Sequence, residues 1–121
     1  MASLWSRAGS VLLLALLCAC ASAPTPAQRI DGDETAALAP LKKHYPDIVV
    51  AFDLHGTRLD IAIDANTYDT TDDDVLAKFR QEAASDWQRA WRASHPRQHA
   101  ALTVRMRDFM GRTWATEHVK G

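Results

Sequence analysis

The chain has 121 residues, of which 47% are hydrophobic, and its formal net charge is −1. This length suits one compact domain. The lack of a basic excess argues against bulk binding of nucleic acid.

The chain begins with the pattern of a bacterial export signal, a positive charge before a short apolar run. Arg7 and the amino terminus supply the charge, and residues 11–17 form the run. A helix of this length spans only ~10 Å, whereas crossing a bilayer takes ~20 apolar residues. We therefore predict a signal peptide over residues 1–19 that takes no part in the fold.

The apolar run ends in Leu17-Cys18-Ala19-Cys20, which resembles the lipobox of bacterial lipoproteins. The leucine three positions before the last cysteine and the small residue directly before it carry this resemblance, which covers no other part of the chain. It implies that Cys20 is the lipid attachment site and the mature amino terminus. Because Ala21 follows, rather than aspartate, it also implies a cell-envelope protein on the periplasmic face of the outer membrane. The alternative is an ordinary export signal, whose cleavage would release a soluble protein.

The residues after the signal are expected to tether a folded domain to the membrane. Residues 20–33 contain two prolines and little to bury, and they would reach roughly 40 Å when extended. No thiol remains for a disulfide once Cys18 is removed and Cys20 is acylated. The stability of the domain, residues 34–121, must then come from its core.

Hydrophobic periodicity predicts two elements in the first half of the domain. A short helix is expected over residues 34–45, with Pro46 ending it. Residues 47–64 contain two alternating runs around His55-Gly56, which predicts a β-hairpin.

The register of this hairpin follows from the position of its turn. With His55-Gly56 as the tight turn, Phe52 faces Leu59. The same register places Asp53 opposite Arg58 on the other face. Apolar side chains then meet on one face and opposite charges on the other, which is how register is specified.

A long amphipathic helix is predicted to begin near residues 71–74. Thr71 can cap it, and Asp74 matches the third position of a capping box. The apolar positions that recur at three- and four-residue steps are Leu76, Phe79, Ala83, Trp87, Ala90 and Trp91. The two tryptophans are expected in the core, with an aromatic ligand platform as the alternative.

A second hairpin is predicted over residues 102–119, with its turn at Met110-Gly111. Trp114 and Val119 lie on opposite parities of the return strand, so we expect a β-bulge there. Residues 53–56 and 108–111 share an Asp-x-x-Gly spacing, which suits a type I turn.

Together these elements give an α+β fold in a single small domain, with the order α-β-β-α-β-β. The economical arrangement is a four-stranded, mainly antiparallel sheet with the long helix packed on one face. The strand residues expected toward the helix are Val50, Phe52, Ile61, Ile63, Val104 and Met106. The charged residues expected on the opposite face are Asp53, Arg58, Asp60, Asp64, Arg105 and Arg107.

The mature sequence carries no catalytic signature, so an enzyme is not predicted. His95 and His99 supply two ligands where a structural zinc site takes four, and Pro96 lies between them. The acidic run at residues 69–74 lacks the glycine and the terminal glutamate of a calcium-binding loop. Neither a metal site nor a cofactor is therefore predicted.

Three residues of the second hairpin are the candidate partner-binding site: Arg105, Arg107 and Trp114. Arginine and tryptophan are over-represented at interaction hot spots, and these three share the exposed sheet face if the hairpin has a two-residue turn. The alternative is that the arginines pair within the domain with the aspartates of that face, Asp53, Asp60 and Asp64.

These features predict a membrane-anchored, non-catalytic module that binds another envelope protein. It would act as an accessory subunit or as an inhibitor or immunity-type protein. The alternative function is a carrier or sensor of a small anionic ligand, held by Arg105, Arg107 and His118.

Overall fold

A four-stranded mixed sheet with helices packed on one face forms the domain in the computed structural model, which describes residues 25–121. Its elements are α1 (Pro26–His44), β1 (Val49–His55), β2 (Arg58–Ile63), α2 (Ala65–Thr70), α3 (Asp73–Ser94), β3 (Ala101–Arg107) and β4 (Thr113–Lys120). This confirms the predicted α+β class. The predicted signal peptide and the lipid attachment site at Cys20 lie outside the described residues.

The strands follow one another across the sheet in the order β1-β2-β3-β4. The two hairpin pairs are antiparallel, and the central pair, β2 with β3, is parallel. A parallel pair needs a long crossover, which α2 and α3 supply here. Within residues 25–121, no helix has the length and apolar character needed to cross a membrane.

Helix α1 begins at Pro26, eight residues before the predicted start, so the predicted tether is wrong over residues 26–33. Proline suits the first turn of a helix, where its missing N–H would be unpaired in any case. Glu34, only 2% exposed, accepts a hydrogen bond of 2.6 Å from the Ser94 hydroxyl of α3. This contact joins residues far apart in sequence, so no local pattern indicates it.

The first hairpin turns at Gly56-Thr57, one residue later than predicted. Gly56 has a φ of +61°, and glycine adopts this left-handed conformation without strain at the first position of a tight turn. His55 therefore stays in β1 and pairs with Arg58.

The pairings predicted for this hairpin are wrong by two positions along β2, which leaves Phe52 and Asp53 on their predicted faces. Phe52 pairs with Ile61 instead of Leu59. Asp53 pairs with Asp60 instead of Arg58, so two carboxylates lie opposite each other.

A β-bulge in β1 reverses the predicted orientation of Val50. The register shifts between Val49 and Ala51, so Val50 is the extra residue. Val49 is buried in its place, and Val50 is 55% exposed.

The segment before the long helix contains one element that was not predicted and one prediction that is wrong. The six-residue helix α2 was not predicted, and it begins after Asp64, whose carboxylate accepts a 2.9 Å hydrogen bond from the Thr67 N–H. This bond holds the pKa of Asp64 below its ordinary value. Thr71 ends α2 instead of capping α3, because its hydroxyl donates to the carbonyl of Thr67.

The predicted apolar stripe of α3 is confirmed, since all six of its residues are buried. Trp87 is fully buried, and its indole N–H donates a 3.1 Å hydrogen bond to the carbonyl of Thr57. Trp91 is also buried. The two tryptophans therefore belong to the core and do not form a ligand platform.

The second hairpin has the predicted bulge. Met106 pairs with Ala115 and Arg107 with Thr113, so Trp114 is the extra residue. The Gly111 N–H donates to the Asp108 carbonyl at 3.0 Å, which centres the turn on Phe109 and Met110, one residue before the predicted dipeptide. The Asp-x-x-Gly spacing therefore predicted the turn correctly at residues 108–111. It did not do so at residues 53–56, where residues 53–55 belong to β1.

Substitutions at Trp87 separate its packing from its hydrogen bond. Trp87→Ala should lower the free energy of unfolding by about 3–5 kcal/mol, because a large buried ring is removed. Trp87→Phe removes the indole hydrogen bond, and this loss should lower the free energy of unfolding by about 1 kcal/mol, in addition to any cost of repacking the smaller ring. The loss stays small because the Thr57 carbonyl keeps its 3.1 Å hydrogen bond from the Thr103 N–H. Urea unfolding followed by circular dichroism measures both.

The matched control for these variants is Val75→Ala on an exposed position of the same helix, expected within ~0.5 kcal/mol of wild type. Equal costs for the alanine and phenylalanine variants would contradict the dominance of packing at this position.

Candidate functional site

The sheet face that α1 and α3 leave uncovered, called the outer face below, carries most of the polar strand residues. The register fixes its cross-strand rows. One row runs from Asp53 through Asp60 and Arg105 to Thr116.

Asp60 is the electrostatic centre of the outer face. It is only 7% exposed, and Arg105 binds both carboxylate oxygens, with Nε at 2.9 Å and Nη2 at 3.0 Å. The Nε of Arg58 lies 3.3 Å from Oδ1, and an Nη of Arg107 lies 3.9 Å from Oδ2. The hydrogen bonds from Arg105 hold the pKa of Asp60 below its ordinary value, against the opposing effect of burial.

Asp53 and His55 complete this charged network at the edge of β1. The Nε2 of His55 lies 2.9 Å from the Asp53 carboxylate and 3.8 Å from that of Asp60. Potential ligand atoms of these three residues all lie within 4.8 Å of one another. Because the Arg105 guanidinium already occupies both oxygens of Asp60, the geometry favours an ion-pair network over a bound cation.

Arg105 pairs within the domain, as the alternative to partner binding predicted, because its guanidinium is hydrogen-bonded to Asp60. Arg107 donates a 2.6 Å hydrogen bond to the Gly111 carbonyl and contributes to the same network at longer range. Asp64 takes no part, since it caps α2.

Trp114 does not join the two arginines, because the bulge that contains it changes the direction of its side chain. Its indole N–H donates a 2.9 Å hydrogen bond to Asp108, and its ring lies 5.8 Å from the ring of Tyr68 in α2. The Arg112 guanidinium stacks over the same ring, 4.4 Å from its centroid. The predicted trio is therefore divided between two places.

Asp108 organises the segment that joins β3 to β4, residues 108–112, called the Asp108 turn below. Its Oδ1 accepts from the N–H groups of Met110 at 3.0 Å and Arg112 at 2.9 Å, and its Oδ2 accepts from Trp114. These bonds, that from Trp114 above all, hold the pKa of Asp108 below its ordinary value. The turn is thus fixed by its own hydrogen bonds.

This fixed turn presents two large apolar side chains to solvent. Phe109 is 91% exposed and Met110 is 77% exposed. Sequence reasoning used the spacing of Asp108 and Gly111 to place a turn and overlooked the side chains between them. Two large apolar residues at the centre of a turn were the available signal.

Two shallow hollows share Phe109 as a lining residue. One of about 200 Å³ is lined by charged residues that include Asp53, Asp60 and Arg107. The other, of about 310 Å³, is lined mainly by apolar residues, which include Val50, Ala62 and Ala65. A partner side chain that packs against Phe109 would therefore find apolar and charged surface on either side.

Comparison with known proteins returned no matching family model, no similar curated protein and no similar solved structure. The class that the geometry defines is a small α+β domain with a fixed apolar turn and a charged sheet face. Fold alone does not indicate function, so function is argued from these two features.

The charge of Asp60 should stabilise the domain over a defined pH range. Asp60→Asn leaves three guanidiniums without their shared carboxylate, and it should lower the thermal midpoint at neutral pH by roughly 5–10 °C. A lowered pKa in the folded state means that this stabilisation is present above the unfolded pKa of about 3.9 and is lost as the pH falls through the folded value. The gap between variant and wild type should therefore persist at pH 5 and close only below about pH 4.

Asp53→Asn is the matched control, because Asp53 is exposed and lies opposite a like charge. Its midpoint should stay at or above that of wild type. A loss in Asp53→Asn equal to that in Asp60→Asn would contradict the central position of Asp60.

Proposed function

We propose that this protein is a lipid-anchored lipoprotein of the cell envelope and that it binds another envelope protein, without catalysis, through the Asp108 turn. The observation that carries the proposal is the exposure of Phe109 and Met110 on a turn that hydrogen bonds hold in place. Both roles predicted from the sequence, accessory subunit and inhibitor or immunity-type protein, use such a surface.

The energetics of the turn favour binding to a partner. Large apolar side chains contribute most to the binding free energy when a partner covers them fully, because their surface is then removed from water. A segment that is already ordered loses little conformational entropy when it binds. Asp108 therefore prepares Phe109 and Met110 for docking before any partner arrives.

The hollows beside the turn extend the proposed surface. Val50, turned outward by the bulge in β1, lines the apolar hollow with Phe109. Arg107 and Asp53 lie in the neighbouring charged hollow, where polar groups of a partner can be matched. An apolar centre with a polar rim is the usual composition of a protein interface.

Site-specific photocrosslinking in the native host tests the docking surface. A photoreactive benzoylphenylalanine replaces Phe109 or Met110 in the full chain, and after irradiation one discrete protein adduct is expected from each position. Immunoblotting and mass spectrometry identify the adduct.

Val75, an exposed apolar residue of α3, is the control position and should give no adduct. The combined variant Phe109→Ser, Met110→Ser should retain the wild-type thermal midpoint while it loses co-purification of the crosslinked protein. Absence of an adduct at both turn positions, or the same adduct from position 75, would overturn the proposed docking surface.

The mass of the purified protein tests the lipid anchor. Wild type should have the mass of residues 20–121 plus acyl groups on Cys20, and Cys20→Ser should lose that added mass. Cys18→Ser should remain acylated, because serine at that position still matches the lipobox pattern. An unmodified chain that begins after residue 20 would instead indicate an ordinary export signal.

A further inference from the structure

We propose that the outer face carries a second site, separate from the Asp108 turn, that binds a phosphate-type oxyanion through Arg58, Thr103 and His118. The ion pairs around Asp60 involve Arg58 but neither Thr103 nor His118.

The sheet register places the three residues side by side. Arg58 pairs with Thr103 across the parallel β2–β3 pair, and Thr103 pairs with His118 across β3–β4. Neighbouring strands lie ~4.8 Å apart, and residues in one row point to the same face. The Thr103 hydroxyl and the His118 Nδ1 lie 3.5 Å apart, which places both groups over the same part of the sheet.

Arg58 has donor capacity that the domain does not use. Both oxygens of Asp60 are bound by Arg105, and the Arg58 Nε, 3.3 Å away, makes no hydrogen bond to them. That Nε is buried and has no acceptor within residues 25–121. The Arg58 side chain as a whole is 39% exposed, so the outer end of its guanidinium can be reached by an acceptor from solvent.

The charge of the outer face suits an anion. The strand residues of this face include four cationic side chains and two carboxylates. The cations are Arg58, Arg105, Arg107 and Lys120, and the carboxylates are Asp53 and Asp60. Ala101, two residues before Thr103 on the same face, is small and exposed, which leaves this side of the row open to solvent. The Asp53 carboxylate is already bonded to His55.

The three groups match the acceptors of a tetrahedral oxyanion. A guanidinium presents a fork of N–H donors to two oxygens of a phosphate, while the Thr103 hydroxyl and the His118 ring can donate to a third. Free phosphate and the phosphodiester of a lipid headgroup share this chemistry. The site lies four residues along β3 from Arg107, ~13 Å from the end that carries the Asp108 turn.

Titration of the full-length protein in a phosphate-free maltoside detergent, followed by the His118 ring resonances in NMR spectra, tests this site. Sodium phosphate at constant ionic strength should shift these resonances saturably, with a Kd of about 1 mM. Arg58→Gln should weaken binding at least tenfold, while Arg97→Gln, which removes an exposed loop arginine, should bind as wild type does. His118→Gln, followed by isothermal titration calorimetry, should also weaken binding.

Dimethyl phosphate, a soluble phosphodiester, separates the two sources. Tighter binding of inorganic phosphate assigns a free anion to the site, and tighter binding of the diester assigns a headgroup. A linear, unsaturable shift, or equal phosphate affinity in wild type and in both Arg58→Gln and His118→Gln, would overturn the proposal. Because the Asp108 turn is untouched by these variants, the crosslinking result and this one can fail independently.

Discussion

The buried carboxylate of Asp60 determines the electrostatics of the outer face. It lies where β2 meets β3, at the centre of the sheet, and a charge in such a position is costly unless cations and hydrogen bonds compensate for the lost water. Arg105 supplies the hydrogen bonds, and Arg58 and Arg107 approach at longer distances. Three guanidiniums thus gather around one buried carboxylate, and within residues 25–121 the buried Nε groups of Arg58 and Arg107 have no hydrogen-bond acceptor.

Most of the fold could be predicted from the sequence because the hydrophobic pattern of each long element repeats at its own period. The alternating runs of both hairpins and the apolar stripe of α3 lie where the pattern placed them. Details that depend on a single backbone conformation could not be predicted in this way. The left-handed conformation of Gly56 shifts the first turn by one residue, and that shift brings Asp53 opposite Asp60.

Other differences have their cause in contacts between distant segments. The first helix continues back to Pro26, and Glu34 within it is held by Ser94, sixty residues later in the chain. Helix α2 is too short for a helical period to be visible in the sequence. Local propensity is a weak guide wherever tertiary contacts decide the outcome.

The candidate sites were predicted only in part, for a similar reason. Pairing of Arg105 with an aspartate of its own face followed from alternation along the strands, and the structure contains it. The place of Trp114 depends on which residue of β4 forms the bulge, and alternation along the strand does not specify that residue. Both sites lie along β3, with the row through Thr103 near its start and the Asp108 turn after its end.

The early start of α1 has a consequence for how far the domain can travel. If Cys20 carries the lipid, as we propose, only six peptide steps separate the anchor from Pro26, and they span at most about 20 Å. A linker this short would keep the domain close to the bilayer surface. Partners held at the same surface are then met at a high local concentration, so that even a weak contact would be occupied much of the time.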